Sequence, residues 1–173
     1  MKLEDMDGRI GEGWSGDLPN GSHINVVIAR RGSPTAASIV GALAAPRPGH
    51  MPFLAVAESG ALVRPVTVVV NKVTVDSDLL ERMTWGAGQV GIAQGVLDAV
   101  ADDLIDPALA GSLVVLVALW LDPKVDDETA VRKAARAATR AAIEDALTDR
   151  SADFVRAVAD RREHASSRFY TGK

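Results

Sequence analysis

The chain has 173 residues, 47% apolar and 24% charged, with a net charge of −4 and no cysteine. That length can bury a core without staples; the missing cysteines exclude disulfides, thiolate catalysis and Cys-ligated metals, and the negative balance argues against nucleic acid, which needs a positive footprint. The opening "MKLEDMDGRIGEG" is acidic where a secretory leader would be basic and then apolar, and the longest apolar run, residues 113–121, falls far short of the ~20 residues of a membrane-spanning helix; the expectation is a soluble, cytoplasmic protein with no membrane partner.

In chain order, His23 to Arg30 reads as a strand, with Ile24, Val26 and Ile28 on one face and His23, Asn25, Val27 and Ala29 on the other. Ser33 followed by Pro34 opens a helix of small residues, "TAASIVGALAA", which the three prolines of "PRPGHMP" stop. "FLAVAES" (53–59) and "RPVTVVVNKVTVD" (64–76) are strands separated by a turn at Gly60, the second dense in β-branched residues. Asp76 or Ser77 caps a short helix through Met83. A longer helix runs from Gln89 to Asp103, with Val90, Ala93, Val96, Leu97 and Val100 on one stripe. Residues 113–121 form a fully buried central strand. Residues 126–147 form the strongest helix, acidic at its start, with Val131, Ala134, Ala135, Ala138, Ala142 and Ala146 at helical spacing. Residues 1–10 and 151–173 are peripheral tails, the second a loose helix after Arg150. The whole is one α/β (α+β) domain, a mixed sheet with helices packed on it.

Several signals fail on inspection. "GAGQVG" (86–91) matches a dinucleotide-binding pattern in letters, but the preceding "SDLLERMTW" is no strand and "DLIDPAL" supplies no acidic strand end downstream. "GWSGD" (13–17) ends in Asp17 where a nucleophile elbow needs glycine, and no strand is expected before it. His23, His50 and His164 have no metal-ligand spacing, so no metal is expected. Arg132, Lys133, Arg136 and Arg140 read as a solvated helix face, with Glu128 and Glu144 spaced to pair with part of it.

Two alternating polar pairs survive: His23/Asn25 on one strand and Lys72/Thr74 on another. Each has a bland reading. Lys72 can sit at a strand end with its ammonium in water, and His23 can be a surface or hydrogen-bonded core residue. If the strands share a sheet face, four hydrogen-bonding groups converge beside apolar walls, which describes a small-molecule pocket.

"HINVVIARRGSP", "FLAV", "NKVT" and "GAGQVGIAQGVLDAVADDLI" together resemble the formaldehyde-activating enzyme family, from about Gly11 to Leu147, with little or no gap between His23 and Gln89. The resemblance implies a ribosomal-protein-S5-domain-2-like fold and a lyase that condenses formaldehyde with tetrahydromethanopterin to methylene-tetrahydromethanopterin and water. It implies His23 as proton donor and Leu54, Lys72, Thr74 and Gln89 at positions that hold the pterin, with Asn25 where the family has aspartate. It also implies a ring-shaped homo-oligomer, a pentamer, with pockets at subunit boundaries. No tightly bound cofactor is expected; tetrahydromethanopterin is a co-substrate. The glycines around Gln89 are expected to let backbone approach a ligand and to open a helix facing the pocket. Asn25 lacks the charge of the family's aspartate, so His23 is expected to lose an anionic neighbour. That departure leaves two alternatives open: an enzyme for another amine or pterin-like acceptor, and a non-catalytic aldehyde or pterin sensor.

Overall fold

A computed structural model describes residues 3–167 and 169, and the last residues of the expected C-terminal tail lie outside that set. In chain order the elements are β1 (Arg9–Ser15), β2 (Ser22–Arg30), α1 (Pro34–Ala42), β3 (Phe53–Leu54), β4 (Val56–Glu58), β5 (Ala61–Leu62), β6 (Val66–Asn71), α2 (Asp78–Glu81), α3 (Gln89–Ala101), α4 (Pro107–Ala110), β7 (Leu113–Leu121), α5 (Glu128–Leu147) and α6 (Ala152–Asp160). A π-helical stretch, Arg82–Gly88, joins α2 to α3.

Five strands form one mixed sheet in the order β1-β2-β7-β6-β3. β6 and β7 are parallel, and the remaining neighbours are antiparallel. A parallel pair needs a long crossover, which the helical stretch from Asp78 to Ala110 provides. β7 is central, as its sequence implies, but it is not fully buried: Leu116, Ala118 and Trp120 are only half-buried, on a face that the main helices leave open.

The other face carries the core. Ile24, Val26 and Ile28 from β2 and Val115, Val117 and Leu119 from β7 are buried with Val131, Ala135, Ala138 and Ala142 of α5. β1, which the sequence pattern did not reveal, lies directly on α5. A Cβ on Gly11 or Gly13 would overlap the carbonyl oxygens of Ala142 and Ala138, so only glycine permits this approach. Met6 is also buried, so residues 3–10, expected as part of a peripheral tail, contribute to the core.

α3 and α5 run side by side at a similarly close distance. A Cβ on Gly95 would lie 2.5 Å from the Arg136 carbonyl oxygen, and one on Gly91 would overlap that of Arg132. The arginines of α5 are therefore not simply solvated. Arg132 donates to Gln94, Arg136 makes two bonds of 2.6 Å to Asp98, and Arg140 reaches Asp102 as well as Glu144. The Arg136 guanidinium holds the Asp98 carboxyl below the usual carboxylate range. Gly88 sits against Leu119 and Gly91 against α5, so these two glycines of "GAGQVG" serve packing within the chain instead of approach to a ligand.

Candidate active site

The open sheet face is built by alternation. In β2, His23 and Asn25 point away from the core that Ile24 and Val26 enter. His23 is directly opposite Trp14 of β1 and Trp120 of β7, and Asn25 is opposite Glu12 and Ala118. In β1 the glycines face α5, which places Glu12 and Trp14 on the same side as the histidine.

Lys72 arrives from the other half of the sheet. β6 ends at Asn71, whose side-chain amide donates to the carbonyls of Gly49 and Val73, so the chain bends there. The Lys72 N–H still donates to Leu119 at 2.7 Å, keeping the residue aligned with β7. Its ammonium donates to Asn25 Oδ1 at 2.8 Å and to His23 Nδ1 at 3.0 Å. On the far side of the ring, His23 Nε2 lies 2.9 Å from Glu12 Oε1. An ammonium only donates and a carboxylate only accepts. The neutral imidazole therefore carries its hydrogen on Nε2, donated to Glu12, and accepts from Lys72 at Nδ1.

Trp14 stacks on the imidazole with centroids 5.4 Å apart, and Phe169 meets Trp14 and Trp120 edge-on at 5.6 and 5.3 Å. Beside the ring is a cavity of about 340 Å³ lined by Glu12, Trp14, His23, Ser166, Ser167 and Phe169. Burial and the Lys72 charge push the His23 pKa below the ordinary histidine value, against the opposing pull of Glu12. Desolvation lowers Lys72 to about 8, which leaves it mainly protonated at pH 7. Replacing Lys72 by methionine keeps the covering stem and removes the charge, so the His23 pKa is expected to rise. A titration of the ring resonances by NMR checks this, and an unchanged or lower value would contradict it.

The expected convergence is thus met by three of the four polar residues. Thr74 does not join them; its hydroxyl is bonded to His50 Nε2 at 3.2 Å, beyond the bend that Asn71 imposes. Leu54 is on the same face but three strands from β2 and four residues along the strands from the His23 row, about 20 Å away at ~4.8 Å per strand and ~3.3 Å per residue. It lines a separate apolar cavity of about 290 Å³ with Val40, Leu43, Val66 and Val68. Gln89 is buried at the start of α3, and its amide donates to the Val56 carbonyl at 2.9 Å, not to the histidine cluster. The sequence reading also missed Glu12. His23 does have an anionic neighbour despite Asn25, supplied by the strand alongside. Among the described residues no group of three or more His, Asp or Glu side chains could hold a metal.

A family profile described as formaldehyde-activating enzyme (Fae) matches residues 10–167. A 5,6,7,8-tetrahydromethanopterin hydro-lyase of Methanosarcina barkeri is 34% identical over 122 residues, covering 70% of this chain and 68% of that protein. Bifunctional Fae/Hps enzymes of Methanothrix thermoacetophila and Archaeoglobus fulgidus are 30% and 31% identical over 70% and 71% of this chain, which spans 31% of each of them. A profile match over nearly the whole described fold, together with a relative 34% identical over 70% of the chain, identifies the chain as a member of the formaldehyde-activating enzyme family.

Proposed function

We propose that the chain accelerates the condensation of formaldehyde with tetrahydromethanopterin, giving methylene-tetrahydromethanopterin and water, with His23 as the general acid. The observation that carries this reading is the contact of His23 and Asn25 with Lys72 across two strands, with His23 itself also lining an accessible cavity.

Formaldehyde adds to a ring nitrogen unaided and gives a carbinolamine, N–CH₂–OH. The step that needs help is loss of hydroxide, a poor leaving group. The imidazolium form of His23 gives its proton to that oxygen as the C–O bond breaks, so water departs and the nitrogen lone pair forms the N=CH₂⁺ iminium. Attack by the second nitrogen closes the methylene bridge, and the proton this nitrogen loses restores the imidazolium. Such positioned acid catalysis contributes ~10²–10⁴-fold, and holding both nitrogens in place adds to it. Lys72 turns from His23 Nδ1 to a carbonyl or anionic group of the substrate. That frees the nitrogen and moves a positive charge off the ring, so protonation of the ring becomes easier.

Leu54, Thr74 and Gln89 hold substrate in this reading, but from a neighbouring copy. The separation of Leu54 from His23 within one chain supports a site completed between subunits of a ring-shaped homo-oligomer, a pentamer, acting in the cytoplasm. Sedimentation gives the assembly mass. The direct test mixes the protein with formaldehyde and tetrahydromethanopterin and follows methylene product above the uncatalysed background; no acceleration overturns the proposal. The neutral Asn25 favours one second reading, another amine acceptor, which the same assay with tetrahydrofolate distinguishes.

A further inference from the structure

We infer that Glu12 is the positioning residue of the His23 acid: its carboxylate holds the Nε2 hydrogen, stabilises the imidazolium, and leaves Nδ1 as the nitrogen that faces the substrate. The inference rests on the acid role of His23 given above.

Glu12 Oε1 lies 2.9 Å from His23 Nε2. The contact is diagonal across the antiparallel pair, since Glu12 is opposite Asn25 and Trp14 is opposite His23, and a diagonal neighbour is within reach of a long side chain. The strand that carries it is fixed. Gly11 and Gly13 flank Glu12 and rest on the α5 backbone, and the Glu12 N–H itself donates to Asp145 of α5 at 3.1 Å. Trp14 stacks on the ring and limits its rotation. The imidazole is thereby oriented at one nitrogen by a group that can only accept.

The consequence is directional. Among the described residues, the charged groups facing the ring are Glu12 from β1 and Lys72 from the end of β6. β7 contributes Trp120, the C-terminal segment contributes Ser166, Ser167 and Phe169, and β2 itself contributes the neutral Asn25. Burial and Lys72 both disfavour the imidazolium, so its formation depends on the single carboxylate opposing them. With Nε2 committed to Glu12, displacement of Lys72 by substrate exposes Nδ1. The proton then travels from Nδ1 to the departing oxygen, while the Nε2–H bond to Glu12 persists before and after the transfer.

Glu12→Gln tests this, because it keeps an acceptor of the same size and removes the charge. The side chain is 63% exposed, so the substitution leaves the core untouched. The expected result has two parts. The His23 pKa, read by NMR on the free protein, falls relative to the wild type. The rate constant kcat falls about 10-fold, the lower end expected for losing a hydrogen bond to a charged group at an exposed position, with its pH profile displaced toward acid and KM changed less than kcat. An unchanged His23 pKa, or a lowered pKa with full kcat across the pH range, overturns the inference. A wild-type protein without turnover overturns the preceding reading instead, and the pKa comparison then decides the Glu12 contact by itself.

Discussion

Replacing His23 by alanine is expected to lower the catalysed rate by ~10²–10⁴-fold, toward the spontaneous condensation, because what is lost is proton donation to the leaving oxygen. The fold should survive. Among the described residues the imidazole is bonded to Glu12 and Lys72 and stacked on Trp14, and its removal leaves no buried charge stranded: Lys72 keeps Asn25, and Glu12 is open to water. A loss of about 1 kcal/mol is typical of such a position, which lowers the melting temperature by roughly 2–4 °C in a chain of this length. Product formation under single-turnover conditions and a thermal melt by circular dichroism check the two halves. A His23→Ala protein with the full catalysed rate would rule out the acid role, and should that variant melt early, His23→Gln keeps the volume and asks the same question.

A clear stability effect is expected at the seam between α3 and α5, where two principles oppose each other. Alanine in place of a mid-helix glycine ordinarily gains ~1 kcal/mol from lower chain entropy and better helix propensity. At Gly95, however, the new methyl would sit 2.5 Å from the Arg136 carbonyl and 2.7 Å from Thr139 Cβ. A backbone oxygen in a long helix cannot step aside. The helices must separate, and overpacking of this kind costs about 1–3 kcal/mol, occasionally more. The bonds of Arg132 and Arg136 to α3 lengthen with them. The clash wins, so Gly95→Ala should be destabilised by about 1–2 kcal/mol, roughly 2–8 °C in melting temperature. Gly41 in α1 is the control, since a methyl there meets nothing within 4 Å. Gly41→Ala should gain about 0.5 kcal/mol. Chemical denaturation of both variants tests the contrast; two shifts of the same sign would refute the packing argument.

The sequence made the parts governed by periodicity legible. β2 alternates cleanly, β7 is an unbroken apolar run, and alanines spaced along one stripe mark α5, so these elements fall within two residues of their expected bounds. β1 was hidden because its inward residues are Gly11 and Gly13. A strand whose core side is glycine shows no apolar alternation, although Ile10, Glu12 and Trp14 alternate on its outer side. With β1 went Glu12, whose approach to His23 depends on a pairing that only the hairpin establishes. Lys72 was expected inside its strand, but Asn71 turns from ladder residue to clamp by bonding two carbonyls with its side chain, and no propensity announces that. The same bend gives Thr74 to His50. Of the candidate site, His23, Asn25 and Lys72 were readable as a cluster from alternation and motif order. Leu54 and Gln89 were not placed by the same logic, since their position relative to the cluster depends on sheet order and not on spacing along the chain.

The bare backbone of β1 resting on α5 carries a consequence for how this protein can change. With no side chain between them, nothing at Gly11 or Gly13 can compress or repack to absorb a shift of the helix. A displacement of the helix backbone at Ala138 or Ala142, remote from any reacting atom, would carry the outer strand and its glutamate with it, away from the imidazole. Variation along that inner helix face should therefore be filtered by turnover as strictly as by folding, and inherited substitutions there would behave as active-site alleles.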